Sequence, residues 1–118
     1  MHKIAIVVLA DTESHGDLGR VVNAMEVVKE FLEAGDRVAL LFDGAGTKWV
    51  GTLNDPSHKR HALWNEVAPA VVGACSFCSA AFGAEEGVRA AGVALLDDFD
   101  DHPSLRSYVL DGYTVLTF

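Results

Sequence analysis

The chain begins with KIAIVVLA at Lys3–Ala10 and reaches RVALLF at Arg37–Phe42, and these two runs set its fold class. Both are nearly uninterrupted apolar stretches, typical of strands covered on both faces. Between them, Asp17–Ala34 carries apolar side chains at helical spacing on one side and polar side chains on the other. Gly35 then supplies the residue that ends the helix. A strand, a helix and a strand in this order predict a right-handed parallel crossover.

The remaining chain continues the alternation of helices and strands. We expect a weakly patterned loop at Thr47–Asp55, a helix from Asp55–Ser57 to about Val67 and a strand at Ala70–Ala74. Helices at Ser76–Phe82 and Glu85–Ala91, a strand at Val93–Leu96 and an acidic loop at Asp97–Asp101 follow. Pro103 opens a last helix, with Leu105, Tyr108 and Val109 pointing inward, and the chain ends in a strand at Tyr113–Phe118. This order predicts one α/β domain over residues 1–118, with a mostly parallel five-stranded sheet between two helical layers.

Composition excludes several classes of protein. The 118 residues include 9 Lys and Arg against 17 Asp and Glu, a net charge of −8, so binding of nucleic acid or anionic membranes through a basic face is not expected. Half of the residues are hydrophobic, which excludes low-complexity disorder. Two cysteines are too few for a disulfide-rich secreted scaffold. We therefore expect a cytoplasmic globular domain.

Two segments have some features of membrane or targeting signals. The apolar run after Lys3 is short and is followed by Asp11-Thr12-Glu13, so it predicts a strand and not a secretion signal. Val67–Ala84 lacks charged residues, but it contains Pro69, two glycines, two serines and both cysteines. Its modest hydrophobicity does not favour a membrane span.

The sharpest chemical feature is Cys75-Ser76-Phe77-Cys78, where a predicted strand passes into a helix. Ligands of open parallel sheets lie beyond the carboxyl ends of the strands. First-turn amides would stabilise a Cys75 thiolate and lower its pKa, making Cys75 the candidate nucleophile. Cys78 is a candidate resolving thiol. A buried, inert cysteine is the alternative for both, and neither has Lys or Arg nearby in sequence.

Histidines raise a second kind of site. His58 and His61, three residues apart, would complete a zinc set with the two cysteines, but the order of the ligands is unusual and exposed histidines are the simpler interpretation. We therefore expect no metal and no cofactor. His15 and His102 lie in loops, where either could approach the thiol as a base, although solvated loop residues are common there.

Other strand-end residues are weaker candidates. Asp11, His15, Gly44 and Gly46 follow the first two strands and are candidate substrate-binding positions. The glycines of the Gly44–Lys48 segment fit neither the dinucleotide-binding pattern nor the P-loop, so turn formation explains them. The aspartates at Asp97–Asp101 lack the spacing of a calcium loop.

The arrangement resembles the DsrE/DsrF-like family, small α/β proteins of sulfur relay. The similar features are Glu33–Asp36 with the strand and the Gly44–Gly46 turn that follow, Ala74-Cys75 with Gly83 eight positions after the cysteine, and the ending Leu110–Phe118. They span nearly the whole chain.

The resemblance implies that Cys75 corresponds to the cysteine that carries a persulfide in sulfur-transferring members. It also implies sulfur donor and acceptor proteins as partners and a homo-oligomer, a trimer or a hexamer. One departure is that Ser79-Ala80-Ala81-Phe82 replaces the basic residues common before the family glycine. Two alternatives stay open: a non-catalytic oligomeric binding module with structural cysteines, and a Cys75–Cys78 redox switch.

Overall fold

A computed structural model of the chain describes all of residues 1–118 and shows a three-layer α/β/α domain. Its elements are β1 (Lys3–Val8), α1 (His15–Glu33), β2 (Arg37–Phe42), α2 (Lys48–Asn54), α3 (His61–Val67), β3 (Val71–Cys75), α4 (Ser76–Ala81), α5 (Glu85–Ala90), β4 (Leu95–Leu96), α6 (Leu105–Leu110) and β5 (Thr114–Thr117). The sheet has the order β4-β3-β2-β1-β5, and every pair of neighbours is parallel. The predicted fold class is confirmed.

The two faces of the sheet are covered unequally. One face carries a core of 19 buried residues, to which α1, α2, α3 and α5 all contribute. The other face has only four buried residues, and α6 covers it through Leu105 and Tyr108. Parallel strands need covering on both faces, which is why β1 and β2 are apolar almost throughout. The connections place the carboxyl ends of all five strands at one edge.

Helix α1 begins with a complete capping box. The Ser14 hydroxyl accepts the backbone N–H of Asp17, and the Asp17 carboxylate accepts the backbone N–H of Ser14 at 3.1 Å. Asp17 also pairs with Arg20 at 2.7 Å. These contacts satisfy amides that the first turn of a helix otherwise leaves without partners.

Replacing Ser14 with alanine is expected to lower the free energy of unfolding by about 1 kcal/mol, because the Asp17 amide loses its acceptor. Urea denaturation followed by circular dichroism measures the change. Asn23→Ala, at an exposed position in the middle of the same helix, is the control and should not destabilise the protein. Equal stability of Ser14→Ala and the wild type would contradict the role of the cap.

The segment predicted as a loop at Thr47–Asp55 is helical, and that prediction was wrong. A single 3-10 turn at Gly44–Thr47 runs directly into α2. Trp49, Val50 and Leu53 are buried, and the Trp49 indole donates to the carbonyls of Ala10 and Asp11 at 3.0 and 3.1 Å. The apolar side chains of this segment are too few to show a helical period in the sequence. The segment is helical because these side chains pack under the end of β1.

Three further expectations were wrong: the start of α3, the length of β4 and the orientation of Val109. Helix α3 begins at His61 and not at Asp55–Ser57, because the Asp55 carboxylate accepts both the N–H and the hydroxyl of Ser57 and closes a turn there. Strand β4 is only two residues long. In α6, Val109 is 61% exposed and does not point inward. No helix has both the length and the apolar character that a bilayer crossing requires.

Candidate functional site

Three strand ends bring chemically active side chains together at the carboxyl edge of the sheet. Cys75 is the last residue of β3, Asp43 directly follows β2, and His102 lies in the loop after β4. Cys78 is in the first turn of α4, which begins immediately after Cys75. We call these four residues the thiol cluster.

Each member of the thiol cluster offers one ligand or proton-carrying atom, and these atoms all lie within 4.8 Å of one another. The Cys75 sulfur lies 3.1 Å from Nδ1 of His102. It also accepts the backbone N–H of Cys78, 3.4 Å away. The Cys75 side chain has no exposed surface, whereas the other three members are partly exposed. The buried sulfur therefore lies directly under groups that reach solvent.

Asp43 and His102 are held by the backbone around them. The Asp43 N–H donates to the Val8 carbonyl at 2.9 Å, and one Asp43 carboxylate oxygen accepts the Gly44 N–H at 2.8 Å. His102 exchanges two backbone hydrogen bonds of 2.8 Å with Phe99, and its ring lies 5.0 Å from the Phe77 ring. Both residues are therefore placed by main-chain contacts before any ligand arrives.

Burial controls the protonation of Cys75. Loss of solvation is the main cause, and the nearby Asp43 carboxylate an additional one, of a rise in the pKa of the Cys75 thiol from 9.0 to about 12. The Cys78 amide acts in the opposite direction but is outweighed. The expected amide contact exists, but the expectation of a lowered pKa was wrong. Cys75 rests as a neutral thiol next to an imidazole.

The weaker site candidates lie apart from the thiol cluster or support it indirectly. Asp11 pairs with Lys48, whose hydrogen bond lowers the pKa of the Asp11 carboxyl. His15 is exposed at the start of α1. Gly44 donates its N–H to Asp43, and Gly46 packs against the backbone of Val8. None of these four contributes an atom to the cluster.

His58 and His61, the histidines that sequence spacing offered to a zinc site, lie away from the two cysteines. His58 packs edge-on against Trp49, with ring centres 6.4 Å apart, and accepts the Arg60 N–H. His61 bonds to the Leu53 carbonyl at 2.8 Å. Of the two loop histidines that the sequence offered as a base for the thiol, His15 and His102, it is His102 that lies next to Cys75. Asp43 had only its position after a strand as a signal.

Comparison with known proteins supports the fold. No protein-family model matches the chain, and no curated protein matches it significantly. Among solved structures, it is similar to BT1422, a conserved protein of unknown function from Bacteroides thetaiotaomicron. The TM-score is 0.63 at 15% identity, over 97% of this chain and 94% of that one. At this identity the similarity shows the shared fold alone.

Proposed function

We propose that the protein is a sulfur carrier in which Cys75 holds a persulfide. The observation that carries the proposal is the distance of 3.1 Å between the Cys75 sulfur and Nδ1 of His102. A neutral thiol needs a base to become a nucleophile, and an imidazole within hydrogen-bond distance is the usual one. The resemblance to DsrE/DsrF-like proteins, in which a cysteine at this position carries sulfur, agrees with this function.

The transfer step keeps atoms and electrons in balance. His102 takes the proton of Cys75 as the thiolate attacks the terminal sulfur of a donor persulfide. A new S–S bond forms on Cys75, the S–S bond of the donor breaks, and the donor leaves as a thiolate with the electron pair. The imidazolium returns its proton to that thiolate. Transfer to an acceptor thiol follows the same steps in reverse, with no net oxidation.

Partner proteins are part of the proposal. Phe77 is 52% exposed and Phe99 is 67% exposed, and both contact or flank His102. Exposed aromatic side chains are enriched at protein interfaces, so they suit the docking of donor and acceptor proteins. On α6 and β5, exposed apolar side chains suit assembly into a homo-oligomer, and reduced thiols suit a cytoplasmic setting.

Mass spectrometry of reduced, chelator-treated protein incubated with a polysulfide tests the proposal. We expect an adduct of about 32 Da, one added sulfur atom, that peptide mapping places on Cys75. Cys75→Ser should lose the adduct. His102→Asn should slow its formation by about a hundredfold, because the base is removed. His15→Asn, the other loop histidine, is the matched control and should react like the wild type.

The same spectra separate the alternatives. Absence of the adduct from the wild type, or its persistence in Cys75→Ser, would overturn the sulfur-carrier function. The two cysteine sulfurs lie within 4.8 Å, which favours a redox switch as the second candidate. In that case a low-molecular-weight disulfide would take two electrons and two protons from the thiol pair. The protein would lose about 2 Da and gain no sulfur.

A further inference from the structure

The thiol cluster contains the ligand types of a transition-metal site. It joins two thiols, an imidazole nitrogen and a carboxylate oxygen, four donors in all. Zinc in proteins is usually four-coordinate and tetrahedral, with sulfur at about 2.3 Å and nitrogen or oxygen at about 2.0–2.2 Å. Those bond lengths place the ligand atoms of a tetrahedral site about 3.3–3.8 Å apart. The observed limit of 4.8 Å is about an ångström wider, so binding of an ion would draw the ligand atoms together by about that distance.

The charges at the cluster also favour a cation. The structure contains six ion pairs, and none of them involves Asp43. One Asp43 oxygen accepts the Gly44 N–H, and the carboxylate lies close enough to the Cys75 thiol to interact with it directly. The partly buried carboxylate therefore faces two thiols with no Lys or Arg to balance it. A divalent cation among these groups would offset the carboxylate and stabilise both thiolates.

The ligands come from a prearranged frame. Asp43 directly follows β2, Cys75 ends β3 and His102 lies in the loop after β4, so three adjacent strands bring these residues to one edge of the sheet. The Gly44 amide orients the carboxylate of Asp43, and the ring of Phe77 supports that of His102. Contacts of this outer kind orient metal ligands and raise the affinity of a site.

From this arrangement we infer that Asp43, Cys75, Cys78 and His102 bind one Zn²⁺ ion. Two thiolates with an imidazole favour zinc over magnesium or calcium, which prefer oxygen ligands. A bound ion would occupy the sulfur of Cys75. If the proposed sulfur transfer is correct, zinc therefore blocks it until a chelator or a competing site removes the metal. The binding site itself rests on geometry and charge and does not depend on that function.

Cobalt titration of the reduced, chelator-treated full chain tests the site. We expect one equivalent of Co²⁺ to give the visible bands of tetrahedral cobalt and a thiolate-to-cobalt charge-transfer band, both lost on addition of Zn²⁺. Asp43→Asn, Cys78→Ser and His102→Ala should each weaken cobalt binding by at least about tenfold. Asp43→Asn keeps the size of the side chain and an acceptor for Gly44, and circular dichroism checks that each variant folds.

The controls are His58→Ala and His61→Ala, the other histidine pair of the chain. They should bind cobalt like the wild type. Octahedral cobalt without a thiolate band, or loss of binding in the His58 and His61 variants alone, would overturn the site. The cobalt spectra need no sulfur donor, and the persulfide is measured without metal. Failure of one proposal is therefore distinguishable from failure of the other.

Discussion

Gly46→Ala is expected to lower the free energy of unfolding by at least about 3 kcal/mol, enough to leave much of a marginally stable domain unfolded. A β-carbon at this position would lie 2.2 Å from the carbonyl oxygen of Val8 and 2.8 Å from its carbonyl carbon. Both are backbone atoms at the end of a central strand, so neither can rotate away. The clash can be relieved only by moving the turn away from β1.

That movement would also disturb the thiol cluster. The Val8 carbonyl accepts the N–H of Asp43 at 2.9 Å, and the Gly46 N–H donates to the Asp43 carbonyl at 2.9 Å. Displacing the turn breaks the contact that places Asp43. We therefore expect any folded fraction of Gly46→Ala to bind cobalt more weakly than the wild type.

Urea denaturation followed by circular dichroism measures the effect, with Gly19→Ala as the matched control. Gly19 lies inside α1, and a β-carbon there would meet nothing within 4 Å. Alanine is the better helix former, so Gly19→Ala should raise the free energy of unfolding by about 0.5–1 kcal/mol. A Gly46→Ala protein as stable as the wild type would contradict the close approach of the turn to β1.

Native alkylation is expected to label Cys75 much more slowly than Cys78 but not to spare it, since the proposed sulfur transfer also requires that reagents reach the Cys75 thiol. With the Cys75 pKa raised from 9.0 to about 12, its thiolate is about a thousandfold scarcer than that of an ordinary cysteine at the same neutral pH. The thiolate is the species that reacts with iodoacetamide, and the Cys75 side chain is also fully buried. Peptide mass mapping at about pH 8 gives both rates.

Unfolding is the control for this experiment. In urea both cysteines should react at similar rates, since burial is the main cause of the raised pKa. In the native Cys78→Ser variant, Cys75 should still react slowly with iodoacetamide. Labelling of Cys75 as fast as Cys78 in the native protein would contradict the burial of the thiol.

The raised pKa of Cys75 also predicts that the free energy of unfolding falls at high pH. The folded protein holds the Cys75 proton more tightly than the unfolded chain does, so the resulting stability is fully present below the unfolded pKa of 9.0. It is lost as the pH rises from 9.0 towards about 12.

The amino-acid sequence by itself determined the fold class and the central thiol. The apolar runs of β1 and β2, the amphipathic α1 and the glycines after helices are local patterns, and each sets its own element through spacing or backbone freedom. Cys75 was placed at the end of a strand for the same reason. The helix α2 was missed because burial of Trp49 under β1, and not a local pattern, makes that segment helical.

Only the tertiary structure decided what surrounds the thiol. Cys75 and His102 are 27 residues apart, and Asp43 belongs to another strand end. Sequence spacing therefore offered His58 and His61 for a metal site, whereas the order of the strands in the sheet brought Asp43 and His102 to the cysteines. The tertiary structure also decided the protonation of Cys75, because the cost of burying a charged thiolate depends on every element packed around the side chain.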